Sequence, residues 1–172
     1  TGQSHVFYTE KSNAWIETKD YWNDDNPTGW DWLNKGNDFL WVSEKDGWRH
    51  IYRVKSDGTK VTLLTKGNFD IGTIKCIDEK SNYMYFTASP DNPTQLYLYR
   101  VRLDGKGKAE LMTPKEFAGY NDYEMSPAGT FAYHVYSSAT TYPVKHFVSL
   151  PAHAHIGAKP YELKKNKDLH IV

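Results

Sequence analysis

Seven histidines, one cysteine and 21 acidic side chains are spread over the 172 residues, and their spacing decides which chemistry is open to them. A nucleophilic serine of the hydrolase kind needs a G-x-S-x-G elbow. The nearest stretch, Gly2-Gln3-Ser4-His5-Val6, lacks the second glycine, and no pattern ties Ser, His and Asp together, so no catalytic residue is assigned. His153-Ala154-His155 places two imidazoles on one face of a strand, with His134 and His146 in the preceding hairpin. Zinc asks for three or four ligands in near-tetrahedral array. With no carboxylate or cysteine at fixed spacing beside them, a partly exposed strand pair explains these histidines better, and neither metal nor cofactor is assigned. Asp24-Asp25-Asn26 lacks the alternating oxygen ligands of a calcium loop and reads as a turn capped by its own side chains. Cys76, inside Ile74-Lys75-Cys76-Ile77, reads as a small buried hydrophobe rather than a reactive thiol.

Two segments stand out for recognition or locking. In Asp46-Gly47-Trp48-Arg49-His50, the Arg49 guanidinium can fork onto Glu44 or Asp46 beneath Trp48, which would lock a hairpin. The stretch from Asp20 to Gly29 is the longest loop-like run, and loops carry function more often than strands do. Within it, Tyr21 and Trp22 are the substrate-binding candidates, the alternative being that they pack against the neighbouring structural unit.

The elements that hold these residues are strands. Phe39-Leu40-Trp41-Val42, Tyr83 to Thr87, Leu96 to Val101 and Phe131 to Tyr136 are short runs rich in aromatic and β-branched residues. Between them lie Lys35-Gly36-Asn37, Asp46-Gly47, Asp57-Gly58, Asp104-Gly105 and Ala128-Gly129, the residue types that tight hairpins need where φ is positive. Helical periodicity is scarce, and Thr113-Pro114-Lys115-Glu116-Phe117 reads as a single turn in a loop. The fold class expected is all-β and antiparallel.

The chain also repeats itself. Tyr52-Arg53-Val54-Lys55-Ser56-Asp57-Gly58 returns 47 residues on as Tyr99-Arg100-Val101-Arg102-Leu103-Asp104-Gly105. Asn37 to Trp41 returns 45 residues on as Asn82 to Phe86, and Gly129-Thr130-Phe131-Ala132-Tyr133 continues the series. A threonine closes an apolar stretch at Thr9, Thr65 and Thr113, at intervals of 56 and 48 residues. A period in the high forties with four short strands is the mark of a β-propeller blade, which must stack on neighbours to bury both faces. Three blade-like units are expected, about 10–65, 66–113 and 114–163, with a stray outer strand at 5–9. Propellers usually have about 4–8 blades, so the 172 residues are expected to be part of a larger ring whose open ends expose apolar sheet faces.

Composition narrows the function classes. Lys+Arg and Asp+Glu both number 21, and this balance speaks against a nucleic-acid partner. No apolar run approaches the roughly 18 residues of a membrane helix, and Thr1-Gly2-Gln3-Ser4 has neither basic head nor apolar core of a signal peptide. Mean hydropathy is low, −0.72, yet 13 Tyr, 7 Phe and 6 Trp are too many aromatics for a disordered chain.

From Phe39-Leu40-Trp41-Val42-Ser43-Glu44-Lys45-Asp46-Gly47-Trp48-Arg49-His50-Ile51-Tyr52 onward the sequence resembles the dipeptidyl peptidase IV family, within the prolyl oligopeptidase-like serine peptidases. Leu64-Thr65-Lys66-Gly67-Asn68-Phe69-Asp70, Tyr85-Phe86-Thr87-Ala88, Leu98-Tyr99-Arg100-Val101, and Met125-Ser126-Pro127-Ala128-Gly129-Thr130-Phe131 with Tyr136-Ser137-Ser138 extend the likeness. The tail, Pro151 to His155 and Lys164-Lys165-Asn166-Lys167, is not distinctive. The resemblance implies the last part of an N-terminal propeller that precedes an α/β-hydrolase domain bearing a Ser-Asp-His triad. Such an enzyme removes X-Pro or X-Ala dipeptides from peptide N-termini, with a Glu pair in an earlier blade holding the substrate amine. Neither triad nor Glu pair is among these residues, so the chain is expected to be non-catalytic, with its own hydrolase domain and peptides as partners. The implied location is periplasmic, cell-surface or secreted. The alternative reading is a TolB-like stand-alone propeller that binds proteins.

Overall fold

Turn chemistry sets the strand boundaries. The Gly58 N–H donates to Lys55 O at 2.8 Å and the Gly105 N–H to Arg102 O at 3.1 Å, closing equivalent hairpins. Both glycines have positive φ, +70° and +74°, which side-chain-bearing residues rarely adopt. Space excludes a side chain as well: a Cβ on Gly58 would lie 2.0 Å from Phe7 O, and one on Gly105 2.6 Å from Thr62 Cγ2. Each turn therefore presses against the unit before it.

The computed structural model describes residues 2–16 and 30–157. These residues hold β1 (Trp32–Leu33), β2 (Asp38–Ser43), β3 (His50–Lys55), β4 (Val61–Leu63), β5 (Ile71–Asp78), β6 (Tyr83–Ala88), β7 (Tyr97–Arg102), β8 (Glu110–Leu111), β9 (Tyr120–Met125), β10 (Phe131–Ser138), β11 (Thr141–Ser149) and β12 (Ala154–His155). They form three antiparallel sheets of four strands, each pairing consecutive strands: β1 to β4, β5 to β8 and β9 to β12. Two single 3-10 turns, Asn34–Gly36 and Lys115–Phe117, are the helical elements among the described residues. The all-β, blade-by-blade architecture expected from the repeat is the architecture found.

The repeat has a hydrogen-bond basis. Leu64 N–H donates to Ile51 O, and the next hydroxyl, Thr65 Oγ1, accepts from Ile51 N–H at 3.0 Å. In the second sheet Met112 N–H donates to Leu98 O, and Thr113 Oγ1 accepts from Leu98 N–H at 2.8 Å. Both threonines are buried. Where the outer strand leaves the ladder, a hydroxyl satisfies the backbone donor it abandons, because an unpaired buried N–H costs about 1–3 kcal/mol.

The sheets stack face to face. Leu33, Leu40, Ile51 and Leu64 of the first sheet meet Met84, Phe86, Tyr99 and Val101 of the second. The other face of the second sheet, through Cys76, Tyr85 and Leu98, meets Tyr123, Ala132 and Val148 of the third. The outer face of the first sheet, with Phe39, Tyr52 and Val54, is partly covered by Phe7 and Tyr8. Arg53 ties two blades, donating to Asp38 Oδ2 at 2.6 Å within its own sheet and to Leu103 O at 3.0 Å in the next.

One expectation is corrected. Residues 5–9 make no strand among the described residues. Phe7 nonetheless abuts the Gly58 turn as Thr62 of β4 abuts the Gly105 turn, so the segment lies where an outer strand would run, without a ladder.

Candidate functional site

The signature hairpin between β2 and β3 turns at Gly47, whose N–H donates to Glu44 O at 2.9 Å with φ +94°. The turn brings Asp46 back over β3, where its Oδ2 lies 2.9 Å from His50 Nδ1 and its Oδ1 accepts from the Trp48 N–H. Desolvation alone would raise the Asp46 carboxyl, but donors from His50 and Tyr52 outweigh it and hold the group below the usual carboxylate range. His50 itself is buried and meets Phe69 edge-on at 5.9 Å. The expected Arg49 fork is not formed. Asp46 is taken by His50, the Arg49 backbone N–H donates to Asp70 Oδ1 at 2.7 Å, and Trp48 stands exposed. Arg49 and His50 are consecutive along the chain, so their side chains leave on opposite sides, and His50 is the one facing Asp46.

Above this hairpin lies a clasp that sequence patterns did not suggest. Glu10 Oε2 accepts from Trp41 Nε1 at 2.6 Å and from the Tyr8 hydroxyl at 3.3 Å, while Oε1 accepts from Ser43 Oγ at 2.5 Å. Lys45 Nζ sits 3.8 Å over the Tyr52 ring, and burial draws its ammonium below the usual lysine range. Burial, followed by the Glu10 charge, pushes the Tyr8 phenol up to about 12. Every group here holds another, which makes this a structural lock. The signal that could have revealed part of it is the i, i+4 spacing of Asp46 and His50 across a glycine turn.

The inner strands of the three sheets, β1, β5 and β9, frame a cleft of about 360 Å³ lined by Asp31, Leu33, Lys75, Cys76, Glu79 and Ser126. Lys75 Nζ pairs with Asp122 Oδ1 at 2.5 Å across two sheets, and Glu79 Oε2 accepts from the Asn34 N–H at 2.6 Å. Cys76 is buried, as expected of a small hydrophobe. Desolvation, then the Asp78 charge, pushes its thiol up to about 11, so little thiolate exists at neutral pH.

The four histidines singled out in the sequence do gather. His134 and His146 are direct cross-strand neighbours on β10 and β11, with ring centroids 5.8 Å apart. His153 precedes β12 in left-handed backbone, φ +52°, rather than sharing a strand face with His155, and turns its ring to within 4.8 Å of His134. His155 pairs across from Val148, its ring 6.2 Å from His146. Phe117 from the 3-10 turn meets His134, His146 and His153 at 4.8, 5.6 and 5.5 Å. Tyr123 stacks on His134 at 4.5 Å.

Hydrogen bonds fix the states of two rings. Asn121 Nδ2 faces the carbonyls of Leu96, Phe117 and Gly119, so its Oδ1 is the atom 2.7 Å from His134 Nε2, which must donate. His134 Nδ1 is then a lone pair, buried and without a partner among the described residues, as is His146 Nε2 as a polar atom. Thr113 accepts from Leu98 N–H, and Thr113 and Tyr123 hydroxyls lie 3.0 Å apart. The assignment that satisfies each atom has Thr113 donating to Tyr123 and Tyr123 donating to His153 Nε2 at 3.0 Å. Burial, then His153 and His146, pushes the His134 pKa down to about 3. Burial also holds His146 and His153 below the ordinary imidazole range, Glu116 partly opposing the effect at His153. Among the described residues no group of three or more His, Cys, Asp or Glu is arranged to hold a metal ion. Tyr21 and Trp22, together with Asp24-Asp25-Asn26, lie outside the described residues.

Residues 1–143 match the family described as the dipeptidyl peptidase IV (DPP IV) N-terminal region. Dipeptidyl peptidase 4 of Trichophyton rubrum is 37% identical over 79 residues, covering 46% of this chain and 10% of that protein. The corresponding protein of Arthroderma otae is 35% identical over 80 residues, with the same coverage of 46% and 10%. A probable dipeptidyl-aminopeptidase B of Coccidioides posadasii is 30% identical over 109 residues, 62% of this chain and 12% of that protein. The crystal structure of Porphyromonas gingivalis dipeptidyl peptidase 4 superposes with a TM-score of 0.66 at 21% identity, over 88% of this chain and 20% of that one, which is a likeness of fold. The chain thus spans about a tenth of the curated relatives it matches. With three stacked four-stranded sheets and a family match over most of its length, the chain belongs to the dipeptidyl peptidase IV family, as part of its N-terminal region.

Proposed function

We propose that these blades are a non-catalytic stretch of a propeller that shapes peptide access to an α/β-hydrolase domain elsewhere in the parent protein. The parent would be a serine-type exopeptidase releasing N-terminal X-Pro or X-Ala di- or tripeptides, acting in the periplasm, at the cell surface or outside the cell. The observation that carries this reading is what the polar residues do: Glu10, Asp46, His50, Asn121 and His153 each bind another protein group. The faces left open are apolar sheet faces suited to further packing. Phe131, Tyr133 and Phe147 on the third sheet and Trp30 and Trp32 by the first are exposed.

The reading is tested with a chromogenic Gly-Pro substrate on the parent and on this chain. Turnover by the parent, abolished by a serine-directed inhibitor, together with no turnover by the chain, is expected. Turnover by the chain alone overturns the non-catalytic assignment. A parent of propeller blades only, with no hydrolase domain, overturns the peptidase reading in favour of a binding propeller.

A further inference from the structure

We propose that the imidazole cluster makes the third sheet an acid-sensitive joint, which loosens from β10 to β12 on proton uptake while the first two sheets hold. The geometry points to it. His146 and His153 lie with ring centroids 5.8 and 4.8 Å from that of His134, and all three rings surround the apolar Phe117 ring. The groups facing them are Asn121 and Tyr123 from β9, Tyr136 from β10, Thr113 beyond β8, Phe117 and Glu116 from the 3-10 turn, and His155 from β12. Glu116 is a carboxylate whose charge reaches His153, but no carboxylate is paired with any of the three rings among the described residues.

Each proton therefore arrives without a paired carboxylate, and the Glu116 charge bears on His153 alone. On His134 it must occupy Nδ1, because Nε2 already donates to Asn121, and Nδ1 faces no acceptor. On His153 it turns Nε2 into a donor that meets the Tyr123 hydroxyl pointing at it, so the Thr113–Tyr123 chain must reverse. A second charge on the neighbouring ring adds repulsion in a poorly hydrated site. The least costly relief is opening of the segment that carries His153 and of the hairpin that carries His134 and His146, since β12 is a short edge strand, paired at Val148 with His155 and Ser149 with Ala154 and followed by one more bond, from Ile156 N–H to Phe147 O. The first sheet differs in the partner of its buried imidazole: His50 Nε2 is without a partner among the described residues, but Nδ1 has the Asp46 carboxylate 2.9 Å away to meet a proton's charge.

Hydrogen exchange of the full chain at pH 7.5 and pH 5.0, corrected for intrinsic exchange rates, reads the joint directly. Amides within 131–155 are expected to lose protection by about tenfold per pH unit for each proton taken up, while those of 50–55 and 83–88 keep theirs. Protection that is unchanged between the two pH values, or lost equally in all three sheets, overturns the proposal. His146→Gln and His153→Gln should each make the pH dependence shallower by one proton. A folded variant with the wild-type slope overturns it too, and if a variant does not fold, the wild-type exchange pattern decides alone.

Discussion

The second and third sheets are each built from four consecutive antiparallel strands, yet their burial differs in kind. β6, in the middle sheet, is buried at five consecutive positions from Met84 to Ala88, whereas β10 alternates between buried Ala132, His134 and Tyr136 and exposed Phe131 and Tyr133. The cause is covering, not composition. The middle sheet has a neighbour on each face, so both sides of its pleat need apolar residues; the third has one neighbour among the described residues. Its free face is still aromatic, with Phe131 and Phe147 stacked at 5.9 Å and Tyr133 at 5.1 Å from Phe147, beneath Lys145. A strand whose outer face meets water should not carry three such rings in a patch. The third sheet thus has the sequence of a covered blade.

The two sheets also spend their polar groups differently. In the middle sheet Arg100 pairs with Glu110 at 2.7 Å and stacks over Tyr83, close to the surface. In the third, polarity is buried as imidazoles, an amide and hydroxyls. Such a network rigidifies when every atom is satisfied and weakens when one is not, and here two ring nitrogens are not.

These differences can be broken in turn. Phe86→Ala, at a fully buried site between two sheets, should cost about 3–5 kcal/mol by urea unfolding. A cost near that of an exposed residue would mean that the middle sheet is not enclosed. Asn121→Ala should cost about 3 kcal/mol, because it leaves carbonyls of Leu96, Phe117 and Gly119 and the His134 Nε2–H without their bonds. The pH dependence follows from the depressed histidines. Between pH 6.5 and their lower folded values the unfolded chain binds protons that the folded chain refuses. Stability is therefore full above about pH 6.5 and falls on acidification, by about 1.4 kcal/mol per pH unit for His134, with His146 and His153 adding to the fall in the same direction. Asp46, depressed on the first sheet, works in a lower window: its contribution holds above the unfolded carboxylate value, near pH 4, and is lost as pH falls through the folded one. Chemical denaturation from pH 7.5 to 5.0 checks the histidine window, where a flat profile contradicts it, and extension to pH 3 checks Asp46. At the small end, Tyr133→Ser and Phe147→Ser should change stability by about 0.5 kcal/mol or less while reducing any concentration-dependent association seen by light scattering. A large loss of stability would mean that the free face is already covered.

Much of the fold was legible because it is encoded locally and repeatedly. The Asp-Gly turns at 57–58 and 104–105 and the closing Thr65 and Thr113 report backbone needs that recur in the first and second blades. Cys76 was legible from its apolar strand. The clasp was not, since Glu10 meets Trp41 and Ser43 more than thirty positions away with no periodic signal. Asn121 and Phe117 around the histidines were missed because no pattern marks them: one lies at the start of β9 and reaches His134 across the β9–β10 pair, and the other lies in the 3-10 turn that leads into β9. The histidine pair 134 and 146 was visible as a hairpin, but the left-handed backbone at His153 that swings its ring inward was not. Arg49 was misassigned because side-chain alternation, rather than charge, decides which neighbour faces Asp46.

The most direct test of the central claim, that these sheets are blades within a larger propeller, is thiol accessibility at the free face. In Tyr133→Cys, the new thiol is the one available to a maleimide, since Cys76 is buried with its thiol pushed up to about 11. Labelling is expected to run at the rate of an unhindered thiol in this chain alone and to slow about a hundredfold or more in the whole parent protein, where another sheet would cover the face. Equal labelling rates in the two would contradict that claim.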